Sequence, residues 1–166
     1  MANKMNMPFS PPDITQEEID EVAEALRSGW ITTGPRVKEL ERQLAEYLGV
    51  KRCVCLNSQT ACAEMALRVL GVGPGDEVIV PAYTYTASAS VICHVGATPV
   101  MVDCAPDSLE MDYDAMAHAI TERTKAVIPV DLGGVPCDYD TIFAALEAKR
   151  DLFHPASDIQ EALGRV

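Results

Sequence analysis

The chain has 166 residues, of which 48% are hydrophobic and 23% charged, and its formal net charge is −12. Such a composition is that of ordinary globular material with a sizeable core. It excludes a nucleic-acid surface, which needs Lys and Arg massed on one face rather than scattered. No apolar run is long enough to span a bilayer, and the N-terminus lacks the basic and then apolar pattern of a secretory leader, so a cytoplasmic location is expected.

In chain order, Thr15-Gln16-Glu17-Glu18 has the form of a capping box and predicts a helix with an apolar stripe of Ile19, Val22, Ala23 and Leu26, ended by Gly29. Trp30 to Gly34 reads as a short turn. Pro35 opens a second helix, whose Val37, Leu40, Leu44, Tyr47 and Leu48 recur at three- and four-residue steps as far as Gly49. Cys53 to Leu56 reads as a buried strand, Ala61 to Leu70 as a helix, Glu77 to Val80 as a strand, Ala87 to Val95 as a helix and Thr98 to Asp103 as a strand. Asp114 can cap a helix through Ile120, Ala126 to Val130 is a further buried strand, and Tyr139 to Lys149 is amphipathic. Ser157-Asp158-Ile159-Gln160 is a second possible capping box, with Gly164 as its stop and Arg165-Val166 as the start of another strand. Strands apolar on both faces that alternate with helices predict an α/β fold, a mostly parallel sheet flanked by helices. Ligands gather at the C-terminal ends of such strands, where Asn57-Ser58, Pro81 to Tyr85 and Asp131 fall.

Six cysteines, Cys53, Cys55, Cys62, Cys93, Cys104 and Cys137, contain no paired C-x-x-C of metal-ligand spacing, and no metal site is expected. Cys53 and Cys55 would share one face of a strand as small hydrophobes. The five lysines, at 4, 38, 51, 125 and 149, read as solvated surface charge. Gly71-Val72-Gly73-Pro74-Gly75 follows a helix and precedes a strand, the reverse of a dinucleotide fingerprint.

The most informative run is Asn57-Ser58-Gln59-Thr60-Ala61, because a helix start presents unpaired N–H groups and partial positive charge. A phosphomonoester can be held there without Lys or Arg. A plain N-cap is the competing reading, since Ser, Thr and Asn suit any helix start.

Together with Gly29-Trp30-Ile31-Thr32-Thr33-Gly34-Pro35 before it and Gly73-Pro74-Gly75-Asp76-Glu77 through Tyr83-Thr84-Tyr85 after it, this run resembles the DegT/DnrJ/EryC1/StrS aminotransferases from about Phe9 through Cys137-Asp138-Tyr139-Asp140. The resemblance implies part of the large domain of a fold-type I transferase. Residues 1–34 would be a helical arm and substrate-side turn, and residues 35–166 the N-terminal part of the cofactor-binding domain. It further implies pyridoxal 5'-phosphate as cofactor, a nucleotide-linked keto sugar as substrate, glutamate as amino donor, and a homodimer with active sites at the subunit boundary.

On the same resemblance, Ser58, Gln59 and Thr60 would bind the cofactor phosphate through backbone N–H groups and a hydroxyl, and Tyr85 would stack on the pyridine ring. Trp30, Ile31, Thr32 and Thr33 would line the substrate side, where a helix-to-helix turn with a buried Trp is the competing reading. Asp131, standing where family members often have His, could orient substrate hydroxyls or hold a turn. The family's cofactor-bearing lysine and pyridine-binding aspartate would lie beyond Val166, so this chain by itself would not turn over. Two other readings stay open: a pyridoxamine-dependent sugar dehydratase of the same scaffold, and a non-catalytic module that dimerises or binds a sugar nucleotide.

Overall fold

The computed structural model describes residues 10–164, so Phe9, Lys4 and the strand expected from Arg165-Val166 lie outside the described residues. The chain divides into two compact units, Met1–Cys55 and Leu56–Val166.

The first unit holds α1 (Gln16–Arg27) and α2 (Pro35–Leu48). Thr15 caps α1 by accepting the Glu17 N–H at 3.2 Å, while the Glu18 carboxylate takes the Thr15 N–H at 2.6 Å, which completes the capping box. The apolar stripe of α1 is exposed, Ile19 at 52% and Leu26 at 64%. Helix α2 begins with Pro35, whose missing N–H costs nothing at that position, and ends on Gly49 in the left-handed conformation at φ 65°. Arg36 pairs with Glu21 across the two helices.

The strand expected at Cys53 to Leu56 does not form among the described residues. Instead of meeting a neighbouring strand, the Cys55 N–H donates to the Glu41 carboxylate of α2 at 2.9 Å. Cys53 and Cys55 are half-buried and Val54 between them is exposed, so the two thiols do share a side without a ladder to fix it. None of the six cysteines is in a disulfide.

The second unit comprises α3 (Gln59–Val69), β1 (Glu77–Pro81), α4 (Ala87–His94), β2 (Thr98–Val102), α5 (Tyr113–Ala119), β3 (Thr124–Val127), α6 (Tyr139–Ala148) and α7 (Asp158–Leu163). The sheet is parallel, in the order β2-β1-β3, with Ile79 of β1 opposite Val100 of β2 and Val127 of β3. Successive side chains of a strand point to opposite faces. Val78 and Val80 accordingly pack with Leu67 of α3 and Val91 and Ile92 of α4, whereas Ile79 packs with Met116 of α5 and Ile142 of α6. Val78, Ile79 and Val80 are fully buried, which at about 1.5–3 kcal/mol each makes β1 the centre of stability.

The chain moves from β1 to β2 on one side and then back across β1 to β3 on the other. Right-handed crossovers in opposite directions place α4 and α5 on opposite faces. The connection leaving β1 therefore goes to one face, through α4, and the one leaving β3 goes to the other, through α6. That divergence is a topological switch point, and it opens a crevice at the C-terminal ends of β1 and β3.

Three local expectations are corrected. The cap of α5 is Asp112, not Asp114, and its Oδ1 accepts the Ala115 N–H at 2.9 Å. Strand β3 starts at Thr124 rather than Ala126, because the Arg123 carbonyl already accepts the Glu77 N–H at 2.8 Å. As a result Lys125 is buried at 4% exposure and is not surface charge. Its Nζ donates to the carbonyls of Glu122 and His154, each at 2.7 Å, and stands 5.1 Å from the centroid of the Phe153 ring. Lys38, Lys51 and Lys149 are exposed as expected. An apolar cavity of about 700 Å³ runs along the β3–α6 side, lined by Lys125, Val127, Ile142, Phe143 and Phe153.

Candidate functional site

Helix α3 runs back along β1, its last residue joined to the strand's start through Leu70 to Asp76. Eleven helical residues and a five-residue strand each span about 16 Å. The N-terminus of α3 thus stands at the end of the sheet where β1 and β3 release their loops. The corner Ser58 to Thr60, the Pro81 to Tyr85 loop and the Asp131 loop share that end. Trp30, Ile31, Thr32 and Thr33 belong to the first unit.

At the corner, Ser58 is the N-cap in extended conformation, and its Oγ accepts the Ala61 N–H at 3.1 Å. The Ser58 carbonyl takes the Cys62 N–H at 3.1 Å. The N–H groups of Gln59 and Thr60 have no protein acceptor among the described residues, and Asn57, Ser58 and Gln59 are exposed. The plain N-cap function is therefore present and leaves two oriented donors open, on the positive end of an eleven-residue helix.

The loop after β1 is held on both sides. The Ala82 N–H donates to the Val102 carbonyl at 2.7 Å, and the hydroxyls of Thr84 and Ser88 meet at 3.0 Å. Tyr85 projects from this fixed loop at 81% exposure and Tyr83 at 56%.

Asp131 follows β3 and closes its own loop. Its Oδ1 accepts the Cys137 N–H at 2.9 Å and the Tyr139 hydroxyl at 3.0 Å, and its Oδ2 lies 3.1 Å from the same hydroxyl. The Cys137 N–H, with the Tyr139 hydroxyl, holds the Asp131 carboxyl below the usual carboxylate range, and the same bond pushes the Tyr139 phenol up. Burial raises the Cys137 thiol, and the Asp131 contact adds to it. Between them Gly133 and Gly134 adopt φ of 65° and 81°, a double left-handed step that suits residues without a Cβ. Of the two roles open to Asp131 from sequence, holding a turn is realised in the structure. Tyr139 was not singled out in the sequence, although its position eight residues on, at the start of a helix, puts it within reach.

In the first unit, Trp30 is 57% exposed and not a buried turn residue. Its Nε1 donates to the Thr33 carbonyl at 3.2 Å.

Residues 12–164 match the sequence model of the DegT/DnrJ/EryC1/StrS aminotransferase family. The chain belongs to this family. It is 45% identical over 149 residues to the spore coat polysaccharide biosynthesis protein SpsC of Bacillus subtilis, covering 89% of this chain and 38% of SpsC. Its fold superimposes with a TM-score of 0.93 on Spr1654 of Streptococcus pneumoniae, assigned as a sugar aminotransferase and solved in apo, PLP and PMP forms, at 63% identity over 98% of this chain and 41% of that one. DesV of S. venezuelae superimposes at 0.76 with 39% identity, over 84% of this chain and 37% of DesV. The family's fold is that of the fold-type I transferases, and the α/β expectation holds, as does the parallel sheet. The chain spans about two fifths of the length of these relatives.

Proposed function

We propose that this DegT/DnrJ/EryC1/StrS chain forms the phosphate-holding part of a pyridoxal phosphate-dependent aminotransferase that moves an amino group, from glutamate, onto a nucleotide-linked keto sugar. The observation that carries it is the open pair of N–H donors at Gln59 and Thr60, at the sheet end where the switch point opens a crevice. The donor set fits a phosphomonoester, because two helix N-terminal N–H groups beside a hydroxyl satisfy an anion that the acidic chain would otherwise repel.

When bound, the cofactor supplies the electron sink for exchange of an amino group. The chain's own residues bind and orient. Gln59 and Thr60 hold the phosphate through their N–H groups, with a hydroxyl from Ser58 or Thr60 as a further contact. Tyr85 covers the ring through its face with its hydroxyl toward water. Thr32 and Thr33 meet sugar hydroxyls, and the Asp131 loop shapes the wall after β3. Neither the lysine that bears the cofactor nor the aspartate on its pyridine nitrogen is assigned among these residues. The name of SpsC supports polysaccharide biosynthesis as the setting, and we extend the reading to a cytoplasmic homodimer.

The test uses the protein at the length of its relatives, loaded with pyridoxal phosphate and given glutamate. Conversion to the pyridoxamine form, followed by absorbance, and its reversal by a keto sugar nucleotide are the expected results. A pyridoxamine form that dehydrates the sugar without transferring nitrogen would refute the transferase assignment.

A further inference from the structure

We propose that the groove between α2 and the chain returning from it is a binding site for a small phosphorylated anion of diphosphate charge. After α2 the backbone turns on Gly49, at a left-handed φ of 65°, and doubles back along the helix. The return is pinned where the Glu41 carboxylate accepts the Cys55 N–H at 2.9 Å. Between helix and return lies a groove of about 450 Å³, contained entirely in the first unit. Lys38 and Arg42 line it from the helix, and Lys51 and Arg52 from the returning chain. Residues scattered along the sequence are thus gathered, and four of the 13 Lys and Arg in a chain of net charge −12 meet here.

The acids of the groove are already committed. Glu41 holds the Cys55 N–H, and Glu46 pairs with Arg42 at 2.9 Å, as Glu39 does at 2.7 Å. Lys38, Lys51 and Arg52 are exposed and make no ion pair among the described residues. Complementing the negative end of α2 would account for Lys51 and Arg52, but Lys38 lies in the first turn, beside the positive end, where a cation is unfavourable. Cations lining one concavity from two sides repel one another, and an anion seated between them removes that repulsion. A carboxylate would neutralise one of them. A diphosphate brings charge enough for Lys38, Lys51 and Arg52 together, and its oxygens accept from two ammonium groups and a guanidinium fork at once. Ala45 and Val50 complete the lining and offer apolar contact to the organic part of such a ligand.

The test is an amide NMR titration of the chain with inorganic diphosphate, in a buffer free of other phosphate. The Lys51, Arg52 and Cys53 N–H signals are expected to shift and to saturate together. Lys38→Ala, Lys51→Ala and Arg52→Ala should each weaken binding about threefold to fivefold, whereas Lys51→Arg should keep the parent affinity. Lys149→Ala, which removes an exposed cation of the second unit, should leave it unchanged. Glu41 separates a built groove from mere positive charge. Glu41→Gln keeps an acceptor for the Cys55 N–H and removes a negative charge, so binding should tighten about threefold. Glu41→Ala removes the same charge together with the pin, so binding should weaken instead. The proposal is overturned if the shifts stay linear in diphosphate, if Lys149→Ala weakens them as much as Lys51→Ala does, or if Glu41→Ala binds as tightly as Glu41→Gln. Diphosphate shifts at Gln59 and Thr60 bear on the cofactor corner alone, so this proposal and the transferase reading fail separately.

Discussion

Gln160 is a neutral side chain with no exposed surface, and replacing it with leucine should cost far more than its place on a six-residue helix suggests. Its Oε1 accepts the Ala156 N–H at 2.8 Å, and its Nε2 donates to the Gly71 carbonyl at 3.0 Å and to the Asp76 carboxylate at 2.9 Å. Gln160 is thus a latch between α7 and the turn that feeds β1. In Gln160→Leu, Asp76 keeps only the Gly73 N–H at 3.0 Å, while Gly71 retains a long contact from the Ser157 hydroxyl at 3.5 Å. Two neutral bonds at about 1 kcal/mol each and one bond to a charged group at about 1.5–3 kcal/mol are lost. The leucine returns about 1 kcal/mol through apolar burial. The net loss is about 3 kcal/mol, equivalent to a fall in melting temperature of about 6–12 °C by circular dichroism. Gln160→Glu places a second carboxylate against Asp76, so at pH 7 it should be at least as damaging and should recover as acid supplies a shared proton. A Gln160→Leu chain within about 1 kcal/mol of the parent would refute the latch.

Three further outcomes follow from the same structure. Lys125→Met removes from the carbonyls of Glu122 and His154 a charged donor that is itself buried, and should lower stability by about 2 kcal/mol in urea denaturation, a parent-like midpoint being the contrary result. The depressed folded-state pKa of Asp131 favours the closed loop above the unfolded value of about 3.9, and that contribution is lost as pH falls through the folded value. The Cys137 amide shift in NMR should therefore titrate below pH of about 3.9, and in Asp131→Asn it should not titrate, while Tyr139 ionises at lower pH than in the parent. Ser58→Ala removes a helix cap worth about 1 kcal/mol but leaves the open N–H groups of Gln59 and Thr60, so pyridoxal phosphate affinity should fall much less than stability.

What was legible in the sequence is what neighbours within four residues decide. The Thr15 and Ser157 caps, the left-handed stops at Gly49 and Gly164, and the apolar run Val78 to Val80 of β1 all follow from local hydrogen bonding and side-chain period. The Asp112 cap was missed because Asp112 and Asp114 offer the same chemistry two residues apart, and only the backbone path chooses. The strand at Cys53 to Leu56 has the right composition, but a strand exists only through a partner, and the Cys55 N–H is taken by Glu41. Long-range pairing has no local signature at all. Nothing near Gln160 announces Asp76, and nothing near Lys125 announces the His154 carbonyl. The site divides the same way: the Ser58 corner was visible as a helix start, whereas the inward turn of Asp131 depended on where Tyr139 came to lie.

The most direct measurement is an amide NMR titration of the chain with pyridoxal phosphate, with pyridoxal and inorganic phosphate as separate arms. The account predicts that the Gln59 and Thr60 N–H signals shift downfield, that Tyr85 ring signals move with them, and that inorganic phosphate reproduces the amide shifts while pyridoxal does not. Shifts confined to other residues, or a response to pyridoxal equal to that of its phosphate, would contradict the claim that this corner holds the cofactor anion.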